Sequence, residues 1–132
     1  MLKIERVEVG PLRNLLIERA SKSRHEVVGI LLGVVKEGVG RIYAIYLVEN
    51  LKKSPVAFEA DPWQVVQSYK SSEKYGIEVI GIFHTHTSCP ASPSPRDVEG
   101  MRAWPYIWLI ACPEELRAWL PGAREPVEVS LT

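Results

Sequence analysis

Residues 27–35 read VVGILLGVV, an unbroken apolar run that is rich in β-branched side chains. Such a run predicts a strand that is covered on both faces. Turn residues follow at 37–40, and RIYAIYLV at 41–48 returns as the second strand of a hairpin. Two further buried strands are predicted at 78–84 (EVIGIFH) and 106–112 (YIWLIAC). These four strands predict a sheet at the centre of the protein.

Three helices are predicted around this sheet, and each begins near a proline. Pro11 opens the first helix, and a short third helix begins at Ser94 and ends before Pro105. The second begins at Asp61, the predicted N-cap, with Gln64 closing a capping box, and it ends at Gly76. Its larger apolar side chains share one face: Trp63, Val66 and Tyr69.

The full order of elements indicates the fold class. A first strand is predicted at 2–9, a loop at 49–60 that contains Pro55, and a final hairpin from 116–120 and 127–131. Strands interspersed with helices in this order predict an α/β or α+β fold around one mixed sheet. We expect residues 1–132 to form a single domain, since no repeat or linker interrupts them.

The composition excludes several classes of protein. Of the 132 residues, 46% are hydrophobic and 24% charged, which is typical of a globular protein and not of a disordered one. Sixteen basic residues balance sixteen acidic ones, so the chain has no positive net charge that would attract nucleic acid. No apolar run approaches the roughly 20 residues of a membrane helix, and the first ten residues lack the apolar stretch of an export signal. We therefore expect a cytoplasmic protein.

The stretch HTHTSCPASPSPRD at 84–97 carries the candidate chemistry. His84 and His86 are two residues apart at the end of a strand, so both imidazoles point to the same face. Asp97, in the first turn of the following helix, can supply a third ligand. Two imidazoles and a carboxylate suit Zn²⁺, and three protein ligands leave a coordination position open, as in catalytic sites. Alone, the two histidines could be surface residues, and Ser94 with Asp97 could be a simple capping box.

Glu26 and His25 stand just before the apolar run at 27–35. A carboxylate beside so apolar a segment is desolvated, which raises its pKa toward the range of a general base. A solvated glutamate at a strand end is the alternative for Glu26. His25 competes with Asp97 as the third ligand, but neighbours in a strand face opposite ways, so we expect His25 at the rim.

The pattern His84-x-His86, seven residues, Ser94, two residues, Asp97 resembles the signature of the JAMM (MPN+) metalloproteases. The segment HEVVGILLG, with Glu26 before a Gly-x-Leu-x-Gly strand, is similar to the segment of that family's catalytic glutamate. The order of elements also resembles the family's core over nearly the whole chain. The resemblance implies a single JAMM-type domain with a cytidine-deaminase-like arrangement of a central mixed sheet and flanking helices.

The resemblance also implies a role for each residue of the motif. His84, His86 and Asp97 would bind one zinc ion per chain. Glu26 would deprotonate a water molecule and pass the proton to the leaving amine. Ser94 would stabilise the oxyanion of the tetrahedral intermediate. These roles agree with the chemistry of zinc hydrolases.

Two further features concern the loop after the histidines. Thr87 stands where family members usually carry proline, and the chain has only the loop 49–60 where larger members have longer insertions. The resemblance implies a disulfide between Cys89 and Cys112 that would brace this loop. Two unrelated buried thiols are the alternative, since cytosolic cysteines are usually reduced.

The function that the resemblance implies is a zinc-dependent isopeptidase. It would remove a ubiquitin-like modifier, of the archaeal small-modifier or sulfur-carrier type, from lysine conjugates. Its partner would be a ubiquitin-like or sulfur-carrier protein with a Gly-Gly tail. Two alternatives stay open: a peptidase of sulfur metabolism that trims a sulfur-carrier protein, and a non-catalytic scaffold that binds ubiquitin-like proteins. The motif leaves a homodimer open as well.

Overall fold

The computed structural model describes residues 3–54 and 58–132, which form seven strands and three helices. In chain order these are β1 (Arg6–Glu8), α1 (Leu12–Lys22), β2 (Val28–Lys36), β3 (Val39–Val48), α2 (Pro62–Lys74), β4 (Glu78–Thr85), α3 (Pro95–Ala103), β5 (Ile107–Cys112), β6 (Glu115–Leu120) and β7 (Val127–Leu131). None of these helices is long and apolar enough to cross a bilayer.

The strands form one mixed sheet in the order β1-β3-β2-β4-β5-β6-β7, and β7 pairs with β1 to close it. Strand β1 runs parallel to β3 and β7, and β4 runs parallel to β5. The other neighbours are antiparallel, including the predicted β2–β3 and β6–β7 hairpins. The expected α+β fold with a central mixed sheet and flanking helices is confirmed.

Apolar residues pack on both faces of the sheet, because successive side chains of a strand alternate between its faces. One core cluster contains Leu31, Phe83 and Leu109 and is covered by α1. The other contains Ile82 and Trp108 and is covered by α2 and α3. The central strands are therefore covered on both faces, as their unbroken apolar sequences predict.

Strand β4 is held closely between two neighbours. In the antiparallel β2–β4 pair, Val28 lies opposite His84. In the parallel β4–β5 pair, a Cβ added at Gly81 would lie 2.2 Å from the carbonyl oxygen of Ile107, so only glycine allows this approach. The end of β4, with its histidines, is thus fixed against the start of β2.

Strand β1 is shorter than the predicted strand at 2–9, of which residue 2 lies outside the described residues. The chain turns into α1 at Gly10, whose φ of 54° ends the extended segment. Pro11 occupies the N-cap, so α1 begins one residue later than predicted. Pro55, in the predicted loop 49–60, also lies outside the described residues.

The start of α2 differs from the prediction in one hydrogen bond. Asp61 is the N-cap as predicted, and its Oδ1 accepts the N–H of Trp63 at 2.9 Å. The capping box with Gln64 was wrong, because the side-chain oxygen of Gln64 accepts the N–H of Glu49 instead. The N–H of Asp61 donates to the carbonyl of Glu49 at 3.1 Å. Gln64 therefore attaches α2 to the end of β3.

The apolar face of α2 points to solvent. Trp63 is 68% exposed, and Val66 and Tyr69 are also exposed. Small residues, Ser68 and Ser72, are buried on the helix instead, and each hydroxyl donates to a carbonyl three residues earlier. Helical spacing places Trp63, Val66 and Tyr69 on one face, and this face lies at the surface and not in the core.

Candidate metal centre

The two histidines of the motif project from the end of β4 to the same side. His84 is fully buried, and its Nε2 lies 3.2 Å from Nε2 of His86. Thr85, between them, accepts the N–H of Val27 on its Oγ1 at 2.8 Å, and its own N–H donates to the Val27 carbonyl at 2.9 Å. The N–H of His86 donates to the carbonyl of Ala111 at 2.7 Å. Both neighbouring strands therefore fix the direction of the imidazoles.

Asp97 reaches the histidines from the first turn of α3. Its Oδ1 lies 3.2 Å from Nε2 of His84, and its Oδ2 lies 3.0 Å from Nε2 of His86. The capping box of α3 is formed: Ser94 Oγ accepts the N–H of Asp97 at 3.2 Å, and the N–H of Ser94 donates to Asp97 Oδ2 at 2.9 Å. The cap thus orients the carboxylate toward the two imidazoles.

The donor atoms of His84, His86 and Asp97 fit a small tetrahedral cation. In the described residues these three form a group in which one ligand atom from each lies within 4.8 Å of the others. Bonds of 2.0–2.1 Å around tetrahedral zinc place neighbouring ligand atoms about 3.3 Å apart. The observed separations of 3.0–3.2 Å are close to that value. Two nitrogens and one oxygen also form a ligand set that Zn²⁺ accepts.

Burial and hydrogen bonds shift the pKa values of the three side chains in different directions. Burial lowers the pKa of His84, although hydrogen bonding to Asp97 opposes it, so the ring stays neutral and keeps a lone pair. Burial alone would lower the pKa of His86 and raise that of Asp97. Hydrogen bonds reverse both: Asp97 and the Pro90 carbonyl raise the pKa of His86, and both histidines hold that of Asp97 far below its usual range. The carboxylate is therefore ionised.

Glu26 lies beside this group in a buried position. It is 6% exposed, whereas neighbouring His25 is exposed and is not part of the group. Burial raises the pKa of Glu26 from 4.5 to about 7, and the charge of nearby His86 opposes that rise. A carboxyl group with this pKa can both accept and release a proton near neutral pH.

Glu26 and Asp97 open onto one cavity of about 220 Å³, which we call the site cavity. Its other walls are formed by Phe58, Ile82, Arg96, Gly100, Trp104 and Trp108. The ring of Phe58 lies 4.6 Å from that of His84, and Trp108 meets His84 edge-on at 5.6 Å. The cavity wall therefore combines charged side chains with three aromatic rings.

Strand β6 holds the loop that follows the histidines. The N–H of Ala91 donates to Oε2 of Glu115 at 2.8 Å, and Nε1 of Trp119 donates to the Ala91 carbonyl at 2.9 Å. The carbonyl of Pro90 lies 3.2 Å from Nδ1 of His86. A carbonyl only accepts, so Nδ1 carries a proton, and Nε2 is the nitrogen that a metal ion would bind.

Cys89 and Cys112 are joined by a disulfide in the structure, with their Cα atoms 5.1 Å apart. The bond attaches the same loop to the end of β5. This loop has Thr87 where family members usually carry proline. It is held instead by a covalent bond and by side chains of β6.

The structure brings together the residues of the motif and adds others that we did not single out. Thr85 gave only a weak signal, a hydroxyl between two histidines in a buried strand. Phe58 and Asn50 gave none, because their positions depend on a tertiary contact: Asn50 and Ala60 form an isolated antiparallel bridge. Trp108 lies both in the core and in the cavity wall.

The closed mixed sheet thus brings together two histidines and an aspartate that could hold a metal ion, beside a buried glutamate and a cavity. The family model for prokaryotic homologues of the JAB domain matches residues 11–121. The chain belongs to this family, which confirms the resemblance to the JAMM proteins.

Curated relatives agree with this assignment. The chain is 41% identical over 113 residues to a desampylase of Pyrococcus furiosus, covering 85% of this chain and 78% of the relative. It is 34% identical over 104 residues to a probable TtuB-protein conjugate cleaving protease of Thermus thermophilus, covering 73% and 70%. The prediction of an enzyme, a hydrolase of the isopeptidase type, is confirmed by these relatives.

Two solution structures share the fold. A protein of Desulfitobacterium hafniense superposes with a TM-score of 0.82 at 23% identity, covering 96% of this chain and 91% of that one. A protein of Salinibacter ruber superposes with a TM-score of 0.68 at 21% identity, covering 95% and 90%. At these identities the likeness concerns the fold alone.

Proposed function

We propose that the protein is a zinc-dependent isopeptidase that removes ubiquitin-like modifiers from lysine side chains. The observation that carries the proposal is the group of His84, His86 and Asp97 beside the buried carboxyl group of Glu26. The names of two relatives, a desampylase and a protease that cleaves TtuB-protein conjugates, support the choice of substrate.

His84, His86 and Asp97 would hold one zinc ion per chain. A bound zinc ion supplies a Lewis acid, which polarises a carbonyl group and makes a water molecule more acidic. The hydrogen bond of His86 to the Pro90 carbonyl and the cap contacts of Asp97 would keep these ligands in place. His84, neutral and enclosed by Phe58, would be shielded from competing protons.

Glu26 would act as the general base and then as the general acid. Its carboxylate takes a proton from the attacking water as the oxygen bonds to the carbonyl carbon. It then gives that proton to the lysine Nζ as the C–N bond breaks. A pKa of about 7 suits both transfers, because the group is neither too weak a base nor too weak an acid.

Ser94 would donate a hydrogen bond to the oxyanion. Its Oγ already accepts the N–H of Asp97, so the hydroxyl proton remains available for another acceptor. The capping box holds this hydroxyl before the substrate arrives. A donor fixed in advance stabilises a developing negative charge without reorganisation.

The extended tail of the modifier would pair with the segment around Ala60. The N–H of Leu51 donates to the Glu59 carbonyl, and that of Asp61 to the Glu49 carbonyl, so the backbone of Ala60 turns to the opposite side. An added strand would bond there and lead past Phe58 to the metal. Glycines at the end of the tail would fit between Phe58 and α3, where larger side chains would clash.

The exposed face of α2, formed by Trp63, Val66 and Tyr69, would contact the globular part of the modifier. A homodimer would cover the same face, and light scattering of the free protein distinguishes the two uses. Nucleic acid is not proposed as a partner, since basic and acidic residues balance at sixteen each. We propose a cytoplasmic location, where such conjugates are formed.

The test is cleavage of a modifier that ends in Gly-Gly and is joined to a lysine side chain. The zinc-loaded protein should release the modifier with its tail intact. His86→Ala should abolish cleavage, and the matched control His25→Ala, at an exposed histidine, should not.

The control substrates are a conjugate whose terminal glycines are replaced with leucine, and casein. Neither should be cleaved. Degradation of casein with an untouched Gly-Gly conjugate would contradict the proposal. Release of a single amino acid from a sulfur-carrier protein would instead identify the trimming peptidase.

A further inference from the structure

Asn50 joins three segments beside the site cavity. It lies just beyond the end of β3, is 9% exposed, and both ends of its side-chain amide form hydrogen bonds. Nδ2 donates to the carbonyl of Glu26 at 2.7 Å. Oδ1 accepts the N–H of Lys52 at 3.0 Å and that of Glu59 at 2.9 Å.

The backbone of Glu26 depends on this contact. The β2 strand begins only at Val28, so the sheet does not hold Glu26 directly. Its N–H donates to the carbonyl of Ser54 at 2.8 Å, and its carbonyl accepts from Asn50. The N–H and the carbonyl of Glu26 are thus both bound to residues 50–54. The N–H is bound by a backbone carbonyl, and the carbonyl is bound by the side chain of Asn50.

The oxygen of the same amide holds the aromatic wall of the cavity. Glu59, whose N–H it accepts, follows Phe58 directly in the chain. The ring of Phe58 lies 4.6 Å from that of His84 and lines the cavity that Glu26 also faces. A displacement of residue 59 would therefore move the wall against which a substrate would lie.

We propose that Asn50 is a positioning residue, whose NH₂ group fixes Glu26 and whose oxygen fixes the Phe58 wall. The proposal rests on the proposed function, in which Glu26 transfers the proton. A displacement of about 1 Å in such a group can slow a reaction about 100-fold, so the NH₂ group should affect kcat. The side-chain oxygen of Asn50 should affect KM, because it holds the Phe58 wall against which a substrate would lie.

Asn50→Asp separates the two contacts. A carboxylate still accepts the N–H groups of Lys52 and Glu59, but it has no proton to donate to the Glu26 carbonyl. We expect kcat to fall at least tenfold, with KM within twofold of the wild type and one zinc still bound per chain. Asn14→Asp makes the same chemical change on the exposed side of α1 and should leave both constants unchanged. Wild-type kcat in Asn50→Asp would overturn the proposal, as would a rise in KM alone.

Asn50→Gln keeps an uncharged amide and remains decisive if the aspartate variant does not fold. Its extra methylene displaces both contacts, so kcat should fall and KM should rise by several-fold each. Wild-type values for both constants would overturn the proposal.

Amide hydrogen exchange at Glu59 tests the attachment without any substrate. The amide should be protected in the wild type and in Asn50→Asp, and should exchange at least tenfold faster in Asn50→Ala. Equal protection in all three proteins would overturn the proposal. Failure of the wild type to cleave the conjugate contradicts the proposed function instead, and the exchange experiment then decides the role of Asn50.

Discussion

Replacing Glu26 with glutamine should abolish cleavage and stabilise the metal-free protein in a pH-dependent way. Burial raises the pKa of this carboxyl group from 4.5 to about 7, so ionising it in the folded protein has a cost that the unfolded chain does not bear. The difference between these pKa values corresponds to about 3 kcal/mol at most. The side chain is 6% exposed, so solvent screens little of that cost.

The sign of the effect follows from the raised pKa. The stability that neutral Glu26 provides is fully present below pH 4.5 and is lost as the pH rises through 7. Glutamine cannot ionise, so the variant keeps that stability at every pH. The variant and the wild type should therefore unfold at similar urea concentrations near pH 4. Above pH 7 the variant should be the more stable by up to about 3 kcal/mol.

Urea unfolding in the presence of a chelator measures this difference between pH 4 and pH 8.5. Glu99→Gln, at an exposed carboxylate on α3, is the matched control and should give no such pH dependence. For the zinc-loaded variant we expect a loss of at least 100-fold in kcat with one zinc still bound, because Glu26 is not a ligand. Parallel stability curves, or cleavage at the wild-type rate, would refute this account of Glu26.

Three other changes test separate parts of the site. Ser94→Ala should lower kcat by about 10²–10³ and cost about 1 kcal/mol as a lost helix cap, measured by kinetics and thermal unfolding; a loss of stability alone would leave Ser94 only its cap. Gly100→Ala should raise KM at least about fivefold without changing zinc content, because its Cβ would come within 2.8 Å of the Trp108 ring and displace it into the site cavity. Reduction of the bond between Cys89 and Cys112 should speed zinc loss to a chelator before it lowers the melting temperature, since the bond holds the loop after His86; equal rates in oxidised and reduced protein would count against this role.

Much of the fold was predictable because the central strands have unbroken apolar sequences. The run at 27–35 is apolar on both faces, and it became β2 in the middle of the sheet. Local spacing was a poorer guide where a tertiary contact competes with it. Gln64 has the spacing of a capping box, but the N–H of Glu49, which tertiary folding brings to the start of α2, takes its oxygen. Local spacing could not predict that competitor.

The candidate site was predictable in its charged residues and not in their surroundings. His84, His86 and Asp97 follow a fixed spacing, and the alternation of a strand explains why both imidazoles face one way. Asn50 and Phe58 have no such pattern. They lie at the site because Asn50 pairs with Ala60 and its side chain contacts Glu26 and Glu59, which brings distant parts of the chain together.

The most direct test of the account is a zinc titration of the metal-free protein, followed by cleavage of the Gly-Gly conjugate. Activity should be absent without metal, rise in proportion to added zinc and stop rising at one zinc per chain. The His86→Ala protein should stay inactive throughout. Full cleavage by the metal-free protein, or activity that saturates at a different stoichiometry, would contradict the assignment of His84, His86 and Asp97 as the zinc site.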